Sequence, residues 1–378
     1  MTEPQSEAQS ESQSDVQAEV RGQVGFLTLN RPRALNALSL GMVRQLSAAL
    51  LAWRDDPTVH AVAIRGMGKD AASATGSRPF GTFCAGGDIR FFHRAAMAGN
   101  PELEDFFTEE YQLDDAVHTF PKPYLPFLDG IVIGGGMGIA GHGRSPSRLR
   151  VVTERTRMSM PETLIGLFPD VGGGYFLSRC PGRIGEFLAL TGRSINGSEA
   201  LAAGLADHLV DSSSLPDLWQ VLADGGLRGF EALLPELTVE SAAASFPQRA
   251  AIDRIFSLPT VPAIVAALEA DDTSWASETA AALRKRSPLM LHVTLEQLRR
   301  GRTMELAGVL RMERDLVRHC FHRPGGGASE TVEGIRALAI DKDHRPNWSP
   351  ALIEDVTPQD VAAFFDSPWP VLSHPLRT

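Results

Sequence analysis

The first half of the chain alternates short apolar runs with stretches whose apolar residues recur at intervals of three and four. Residues 24–30 (VGFLTLN) and 60–65 (HAVAIR) are apolar runs that predict strands. Between them, Ser39 predicts the N-terminal cap of a helix that runs to about Trp53, because helical spacing begins directly after it. Strands that alternate with helices in this way predict an α/β core with crossover connections.

Glycine-rich turns follow two later apolar segments. Residues 83–88 (FCAGGD) predict a tight turn, and helical spacing begins at Ile89. Residues 134–138 (GGGMG) follow the strand-forming end of residues 123–133 and precede a second predicted helix. Backbone N–H groups at two such turns can point at one oxygen atom, which would make an oxyanion hole. The alternative is that the glycines only permit tight turns or close packing.

Residues 160–176 (MPETLIGLFPDVGGGYF) set two carboxylates into an otherwise apolar, glycine-rich segment. They are Glu162, which follows Pro161, and Asp170, which follows Pro169. An ionised carboxylate in apolar surroundings is costly to desolvate, so it is normally paired, hydrogen-bonded or shifted in pKa. Two such groups close together predict acid, base or nucleophile chemistry. The alternative is that each carboxylate caps a helix or turn after its proline.

The pattern along the chain divides it into three parts. Residues 1–20 are rich in Gln, Ser and Glu, lack Lys and Arg, and predict a disordered acidic tail. Residues 21–225 carry the strand and helix patterns of the core. Residues 226–378 show mostly helical spacing, for example over residues 294–319. We expect this last part to pack on the core, because aromatic residues near its end, such as Trp369, are poor residues to leave in water.

Composition and charge exclude several classes of function. The 378 residues are 43% hydrophobic and 22% charged, which is typical of a soluble globular protein. A formal net charge of −10 argues against general nucleic-acid binding, which needs a basic surface. The first 20 residues resemble neither a signal peptide nor a mitochondrial presequence, and no apolar run could cross a membrane without glycine interruption. Three widely separated cysteines indicate a reducing compartment, so we expect a cytoplasmic protein with no membrane partner.

Several strings together resemble the crotonase (enoyl-CoA hydratase/isomerase) superfamily. They are residues 29–38 (LNRPRALNAL), 83–90 (FCAGGDIR), 134–138, 161–162, 190–192 (LTG) and 203–204. Within the superfamily, the long string that starts at Met160 and the string EGIRALAIDKDHRPNW at residues 333–348 are similar to the family of 3-hydroxyisobutyryl-CoA hydrolases. The resemblance runs from about Val20 to at least Asp360.

The resemblance implies a fold, a substrate class and four site residues. The fold is an α/β spiral of ββα turns over residues 21–225, which is the catalytic core, with a mostly helical region added at the C-terminus. The substrate is an acyl-CoA thioester, with coenzyme A as part of the substrate and with no separate cofactor or metal. By match to the family motifs, the backbone N–H groups of Gly87 and Gly135 are the oxyanion donors. Glu162 and Asp170 match the family's catalytic glutamate and aspartate, and all four residues contact the substrate.

The implied activity is hydrolysis of a short β-hydroxyacyl-CoA thioester, above all 3-hydroxyisobutyryl-CoA in valine breakdown. Hydratases of the superfamily carry another glutamate at the position of Gly138, and its absence here argues against hydration. Two alternatives stay open, namely a hydratase or isomerase that acts with Glu162 alone, and a catalytically silent paralogue that binds a partner. Also open are the choice of Glu162 as nucleophile or general base, the preferred acyl group, and a trimeric or monomeric state.

Positive charges near the predicted turns are candidates for contacts with the phosphates of coenzyme A. They are Arg31, Arg33 and Arg90, for which solvated surface charge is the alternative. Two loops, residues 69–82 and 144–148, depart from the family pattern and could change access to the acyl group. A third departure is an aspartate, Asp129, where the family tends to carry histidine or asparagine.

Five further residues with reactive side chains are assigned structural roles. Cys84 is expected to be a small buried residue, because no histidine lies nearby in sequence to activate it. His319, Cys320 and His322 are interpreted as helix-end residues rather than metal ligands. His142 is expected to pack or hydrogen-bond near the site.

Overall fold

The computed structural model describes residues 14–69, 80–141, 149–239, 246–323, 326 and 328–376. Its strands are β1 (Val16–Arg21), β2 (Val24–Leu29), β3 (Ala61–Gly66), β4 (Tyr124–Leu128), β5 (Ile131–Ile133), β6 (Val151–Thr153), β7 (Arg157–Ser159) and β8 (His208–Val210). The helices of the N-terminal part are α1 (Leu40–Arg54), α2 (Ile89–Ala98), α3 (Glu102–His118), α4 (Gly135–Ile139), α5 (Gly173–Phe176), α6 (Ile184–Thr191) and α7 (Gly197–Ala202). The later helices are α8 (Leu215–Leu237), α9 (Arg249–Ile255), α10 (Val261–Glu269), α11 (Ser274–Leu283), α12 (Pro288–Gly301), α13 (Leu306–Phe321), α14 (Glu330–Ile335) and α15 (Pro358–Ala362).

The strands form two sheets. The larger sheet has the order β1-β2-β3-β4-β6-β8, in which β1 is antiparallel to β2 and every other neighbouring pair is parallel. The smaller sheet pairs β5 with β7 in parallel. The chain twice places a strand in the large sheet, then a strand in the small sheet, then a short helix, as in β4-β5-α4. The expected α/β spiral of ββα turns is confirmed.

The large sheet is covered on both faces, which explains why its central strands are apolar throughout. β2 and β4 are buried along their whole lengths, as expected for strands of a covered, mostly parallel sheet. On one face, Trp219 of α8 packs against Phe26 and Phe127, with ring centroids 4.7 and 5.2 Å away. On the other face, the side chains of β2 and β3 pack with those of α1 and α3 in the larger hydrophobic cluster.

The first helix begins where the sequence predicts. The side chain of Ser39 accepts a hydrogen bond from the Met42 N–H at 3.3 Å, which is the geometry of an N-terminal cap. The prediction for the N-terminus is wrong in part. Residues 16–20 belong to β1, which pairs with β2 along its entire length, so the composition of this segment did not reveal an edge strand. Residues 1–13 lie outside the described residues.

The C-terminal region is mostly helical, as expected. The predicted helical stretch over residues 294–319 is two helices, because α12 ends at Gly301 and α13 begins only at Leu306. Near the end of the chain Phe364 is buried, whereas Trp369 is only half-buried. A division into two domains near residue 225 stays a prediction. Over the described ranges, none of the helices combines the length and apolar composition that crossing a membrane requires.

Candidate functional site

The two glycine turns and the carboxylate segment surround one cavity of about 190 Å³. All four residues singled out by the motifs line it, namely Gly87, Gly135, Glu162 and Asp170. Most of the remaining wall is apolar and includes Ile89, Phe92, Phe107, Ile133, Leu164, Leu167 and Leu338. The structure therefore brings together residues that are as far apart in sequence as positions 87 and 170.

The first glycine turn leaves one backbone N–H free at the cavity. The Leu38 N–H donates to the Gly86 carbonyl at 2.8 Å, and the Asp88 N–H donates to the Leu38 carbonyl at 3.0 Å. These bonds hold both neighbours of Gly87, whose own N–H has no acceptor among the described residues. A Cβ at Gly87 would lie 2.5 Å from the Phe92 ring, so any larger residue here would have to displace that ring.

The second glycine turn lies against the first. Gly135 is the first residue of α4, and its N–H has no acceptor within the described part of the chain, as is usual at a helix start. A Cβ built on Gly86 would lie 3.7 Å from this nitrogen, so the two turns are neighbours. Gly134, with φ +50°, packs directly on Glu162, since a Cβ there would lie 2.9 Å from the carboxyl oxygen Oε1. The Gly87 and Gly135 N–H groups, which have no acceptor among the described residues, thus share one end of the cavity with the Glu162 carboxyl group.

Glu162 is a buried carboxyl group with few hydrogen bonds to offset the cost of its burial. It opens the 3₁₀ helix Glu162–Ile165 that follows β7, and only 6% of its surface is exposed. Its Oε2 atom has no hydrogen-bond partner among the described residues. Burial and the nearby charge of Asp170 raise the pKa of Glu162 well above its usual value. A carboxylate in this state is a stronger base and nucleophile than one in water.

Asp170 lies on a loop with unusual backbone geometry. Val171 and Gly172, which follow it, have φ values of +52° and +87°, and the first is strained for a β-branched residue. Asp170 is 5% exposed, and Tyr111 donates a hydrogen bond of 2.8 Å to its Oδ2. Burial raises the pKa of Asp170 to about 6, while the Tyr111 hydrogen bond acts in the opposite direction. Neither this loop nor the 3₁₀ helix at Glu162 has a side-chain cap, so capping does not explain the two carboxylates.

Helix α3 contributes acids that the sequence analysis missed. Glu110 lines the cavity, and its Oε1 has no partner within the described residues. Asp114, one turn later, is fully buried beneath Gly138, and neither of its carboxyl oxygens has a hydrogen-bond partner within the described residues. Burial and the neighbouring acids raise the pKa of both groups well above the usual values. The sequence does indicate these two residues, because acids at positions i and i+4 interrupt the otherwise apolar face of α3.

The other candidate residues have roles outside the cavity wall. Arg31 lies 3.5 Å from Asp88 and donates to the Ala37 carbonyl at 2.6 Å. Arg33 and Arg90 are exposed and form no salt bridge with any described residue. Cys84 is buried, and burial raises the pKa of its thiol to about 12, which excludes a thiolate nucleophile at neutral pH.

Two further residues are held by contacts within the fold. Asp129 pairs with Arg155 and accepts a hydrogen bond of 2.6 Å from Thr153, so this departure from the family pattern is a buried carboxylate paired with a partly exposed arginine. His319 Nε2 lies 2.7 Å from the Asp366 carbonyl oxygen, near the end of α13. His142 and most of the loops at residues 69–82 and 144–148 lie outside the described residues.

Comparison with known proteins assigns the chain to a family. The sequence model of the family described as enoyl-CoA hydratase/isomerase matches residues 24–365. The chain is 41% identical over 349 residues to "3-hydroxyisobutyryl-CoA hydrolase, mitochondrial" of Gallus gallus, which covers 90% of this chain and 86% of the relative. The Homo sapiens protein of the same name is 40% identical over 355 residues, with 92% and 87% covered. The chain belongs to the enoyl-CoA hydratase/isomerase family.

Two solved structures have the same fold. A carnitinyl-CoA dehydratase from Mycobacterium thermoresistibile is 38% identical, has a TM-score of 0.84, and covers 96% of this chain and 98% of its own. An enoyl-CoA hydratase from Rhodobacter sphaeroides 2.4.1 is 39% identical, has a TM-score of 0.80, and covers 94% and 98%. The names of these structures and of the relatives above describe different reactions, so the activity has to be argued from the site.

Proposed function

We propose that this protein hydrolyses a short β-hydroxyacyl-CoA thioester, with 3-hydroxyisobutyryl-CoA as its preferred substrate. The observation that carries the proposal is the cavity, where the carboxyl groups of Glu162 and Asp170 face the same space as the turns of Gly87 and Gly135. The relatives that are 40–41% identical over most of the chain bear the name of this hydrolase.

In the proposed reaction, the thioester carbonyl oxygen accepts hydrogen bonds from the Gly87 and Gly135 N–H groups. Attack on the carbonyl carbon places negative charge on that oxygen, and fixed amide dipoles in a dry cavity stabilise the charge without reorganisation. Neither amide has another acceptor among the described residues, so both are free for this role. Loss of one such donor typically lowers kcat by about 100- to 1,000-fold.

Glu162 acts on the carbonyl carbon in one of two ways. As a nucleophile, its carboxylate forms a mixed anhydride, the C–S bond breaks, and water then hydrolyses the anhydride. As a general base, it takes a proton from a water molecule that attacks the carbon directly. In both routes the thiolate of coenzyme A leaves and takes up one proton. A single turnover in ¹⁸O-labelled water distinguishes them, because only the nucleophilic route puts the label into the Glu162 side chain.

Asp170 orients the 3-hydroxyl group of the acyl chain and assists proton transfer to the leaving thiolate. A carboxyl group whose pKa lies at about 6 exchanges a proton readily near neutral pH, which suits this role. The cavity of about 190 Å³ has room for a short branched acyl group.

Coenzyme A would occupy a groove that adjoins the cavity. The groove has a volume of about 470 Å³ and shares Leu164 and Leu338 with the cavity wall. Its lining includes Lys285 and His344, both exposed, and Arg284, which already pairs with two glutamates. Lys285 is therefore the candidate cation for a phosphate of coenzyme A.

Hydration of an enoyl-CoA is the second candidate, since the two solved relatives are named as a hydratase and a dehydratase. Hydratases of the superfamily use a second glutamate at the position of Gly138. Here a Cβ at Gly138 would lie 2.5 Å from Asp114 Oδ1 and 2.8 Å from the Val171 side chain, so there is no room for one. This obstruction favours hydrolysis.

Three thioesters tested side by side distinguish these functions. The purified protein is given 3-hydroxyisobutyryl-CoA, 3-hydroxypropionyl-CoA and crotonyl-CoA, with free thiol and loss of the enoyl chromophore as separate readouts. Thiol release from the hydroxyacyl substrates supports hydrolysis, and loss of the enoyl chromophore without thiol release supports hydration. If neither thiol release nor loss of the enoyl chromophore is seen, a silent binding paralogue is supported.

The biological setting follows from the substrate and remains a proposal. A 3-hydroxyisobutyryl-CoA hydrolase would act in valine breakdown. The relatives are named as mitochondrial proteins, whereas cysteine usage only indicates a reducing compartment, so the cytoplasmic location is a prediction for cell fractionation to test. Light scattering of the purified protein separates a trimer from a monomer.

A further inference from the structure

Two helices outside the predicted catalytic core contact the loop that carries Asp170. Glu313, on α13, is fully buried. Its carboxyl oxygens accept hydrogen bonds from the Gly172 N–H at 2.7 Å and the Gly174 N–H at 2.8 Å. Glu313 is not part of the cavity wall, so any effect on a bound substrate has to pass through the loop.

Gln297, on α12, contacts the other side of the same loop. Its side-chain N–H₂ donates to the Pro169 carbonyl at 2.7 Å and to Glu313 Oε1 at 2.8 Å. The pair therefore holds the residue before Asp170 and two residues after it. The helices approach closely here, because a Cβ on Gly301 would overlap the carbonyl oxygen of Gly174.

The loop depends on these contacts for its conformation. Val171 adopts a left-handed backbone conformation that a β-branched residue rarely occupies, so surrounding contacts have to hold it there. Without Glu313, the buried N–H groups of Gly172 and Gly174 would lose their acceptor. Among the described residues, Tyr111 donates the only side-chain hydrogen bond to the Asp170 carboxyl, and this bond orients the side chain but not the loop.

We propose that Glu313 is a positioning residue for Asp170, and that Gln297 assists it by tying Pro169 to the Glu313 carboxylate. The C-terminal helices are then part of the catalytic unit rather than an addition to it. This inference rests on the proposed function, because it assumes that Asp170 orients the 3-hydroxyl group of the substrate.

The test variant is Glu313→Gln. All three hydrogen bonds to the Glu313 oxygens come from N–H groups, and a glutamine replaces one oxygen by an N–H₂ group that cannot accept. The readout is the preference for 3-hydroxyisobutyryl-CoA over isobutyryl-CoA, which lacks the hydroxyl, expressed as the ratio of the two kcat/KM values. A displaced Asp170 loses this preference, whereas general damage to the protein lowers both rates together.

We expect E313Q to lower the preference by about 10- to 100-fold, toward the value measured for Asp170→Asn. The matched control is Glu186→Gln, since Glu186 is also a buried acid that ties the core to the end of α12, but its hydrogen bonds go to Arg183 and Arg302 and not to residues 169–174. E186Q should leave the preference unchanged. An E313Q variant that keeps the wild-type preference, whatever its absolute rate, overturns the inference.

A second variant covers the case in which E313Q does not fold. Gln297→Met keeps the size of the side chain and removes both hydrogen bonds to the loop and to Glu313. It should also lower the preference, and an unchanged preference in a folded Q297M protein counts against the proposal. Failure of the proposed function is a separate result, because D170N would then show the wild-type preference or the wild-type protein would release no thiol.

Discussion

The hydroxyl of Tyr111 donates a hydrogen bond of 2.8 Å to Asp170 Oδ2, which joins α3 to the loop at the start of α5. Both side chains are buried. This bond stabilises the charged form of a carboxylate that its surroundings otherwise disfavour, so it controls how much of Asp170 is ionised near neutral pH.

The pH dependence of turnover should therefore shift when this bond is removed. If ionised Asp170 is required, kcat/KM rises with pH through about 6, the pKa to which burial raises this group. Tyr111→Phe removes a donor to the charged form, so the pKa of Asp170 rises further and the acid limb moves to higher pH by about one unit. Profiles between about pH 5 and 9 measure the shift.

Tyr124→Phe is the matched control for this experiment. Tyr124 is also buried, and its hydroxyl donates to the Ile139 carbonyl at 2.9 Å, away from Asp170. Its removal should leave the acid limb in place. An unmoved limb in Y111F would show that Asp170 does not control the profile.

Asp170 should lower the stability of the protein at neutral pH. Its folded-state pKa of about 6 lies above the ordinary value of 3.8, so between these two values the folded state retains a proton that the unfolded state has lost. Stability from this group therefore falls as pH rises through this window, by about 3 kcal/mol in total. Asp170→Asn removes the charge and should raise Tm at pH 7.5 by about 2 to 5 °C, while it lowers turnover.

The same variant supplies its own control at low pH. Below the unfolded-state pKa both states are protonated, so the gain in Tm should disappear near about pH 4. Scanning calorimetry at the two pH values measures both effects. A D170N protein that is less stable than the wild type at pH 7.5 contradicts the proposed cost of burying this charge.

Position 138 should not tolerate the glutamate that hydratases carry there. Gly138→Glu would force its Cβ into Asp114 and Val171 and bury an additional charge among acids. Even Gly138→Ala should destabilise the protein by about 1–3 kcal/mol.

The control is Gly225→Ala in α8, where nothing lies within 4 Å of the added methyl group, and this change should be neutral or stabilising. Urea unfolding measures both, and a folded G138E protein that hydrates crotonyl-CoA would refute the exclusion argument.

Lys285 should contribute to the binding of coenzyme A and not to chemistry. An exposed charge that contacts a phosphate contributes about 1 kcal/mol, so Lys285→Ala should raise KM by about fivefold with kcat unchanged. The effect should weaken as salt is added. Arg228→Ala, on α8 and also exposed, is the control and should change neither constant. An unchanged KM in K285A would place the phosphates elsewhere, with Arg33 and Arg90 as the remaining candidates.

Local patterns predicted the parts of the fold that local chemistry determines. The Ser39 cap, the apolar strands and the two glycine turns depend on neighbours a few residues away, and each is found where the pattern indicates. The strand β1 was missed because an edge strand needs little apolar content when its partner supplies the hydrogen bonds.

The parts of the site that were missed depend on distant contacts. Glu313 reaches Gly172 across 141 positions of sequence, and no local pattern around either residue indicates that pairing. Glu110 and Asp114 could have been found, since acids on the apolar face of a helix need an explanation. Motif resemblance supplied Glu162 and Asp170 but not the acids and the tyrosine that set their electrostatics.

The most direct test of the account is thiol release from 3-hydroxyisobutyryl-CoA by Glu162→Gln. This variant keeps the shape of the side chain and removes its capacity to act as nucleophile or base, so kcat should fall by about 100- to 10,000-fold. Binding of free coenzyme A should be unchanged, because the groove that would hold it does not include Glu162. Turnover within twofold of the wild type, about 0.4 kcal/mol in activation free energy, would contradict the proposal that Glu162 performs the chemistry.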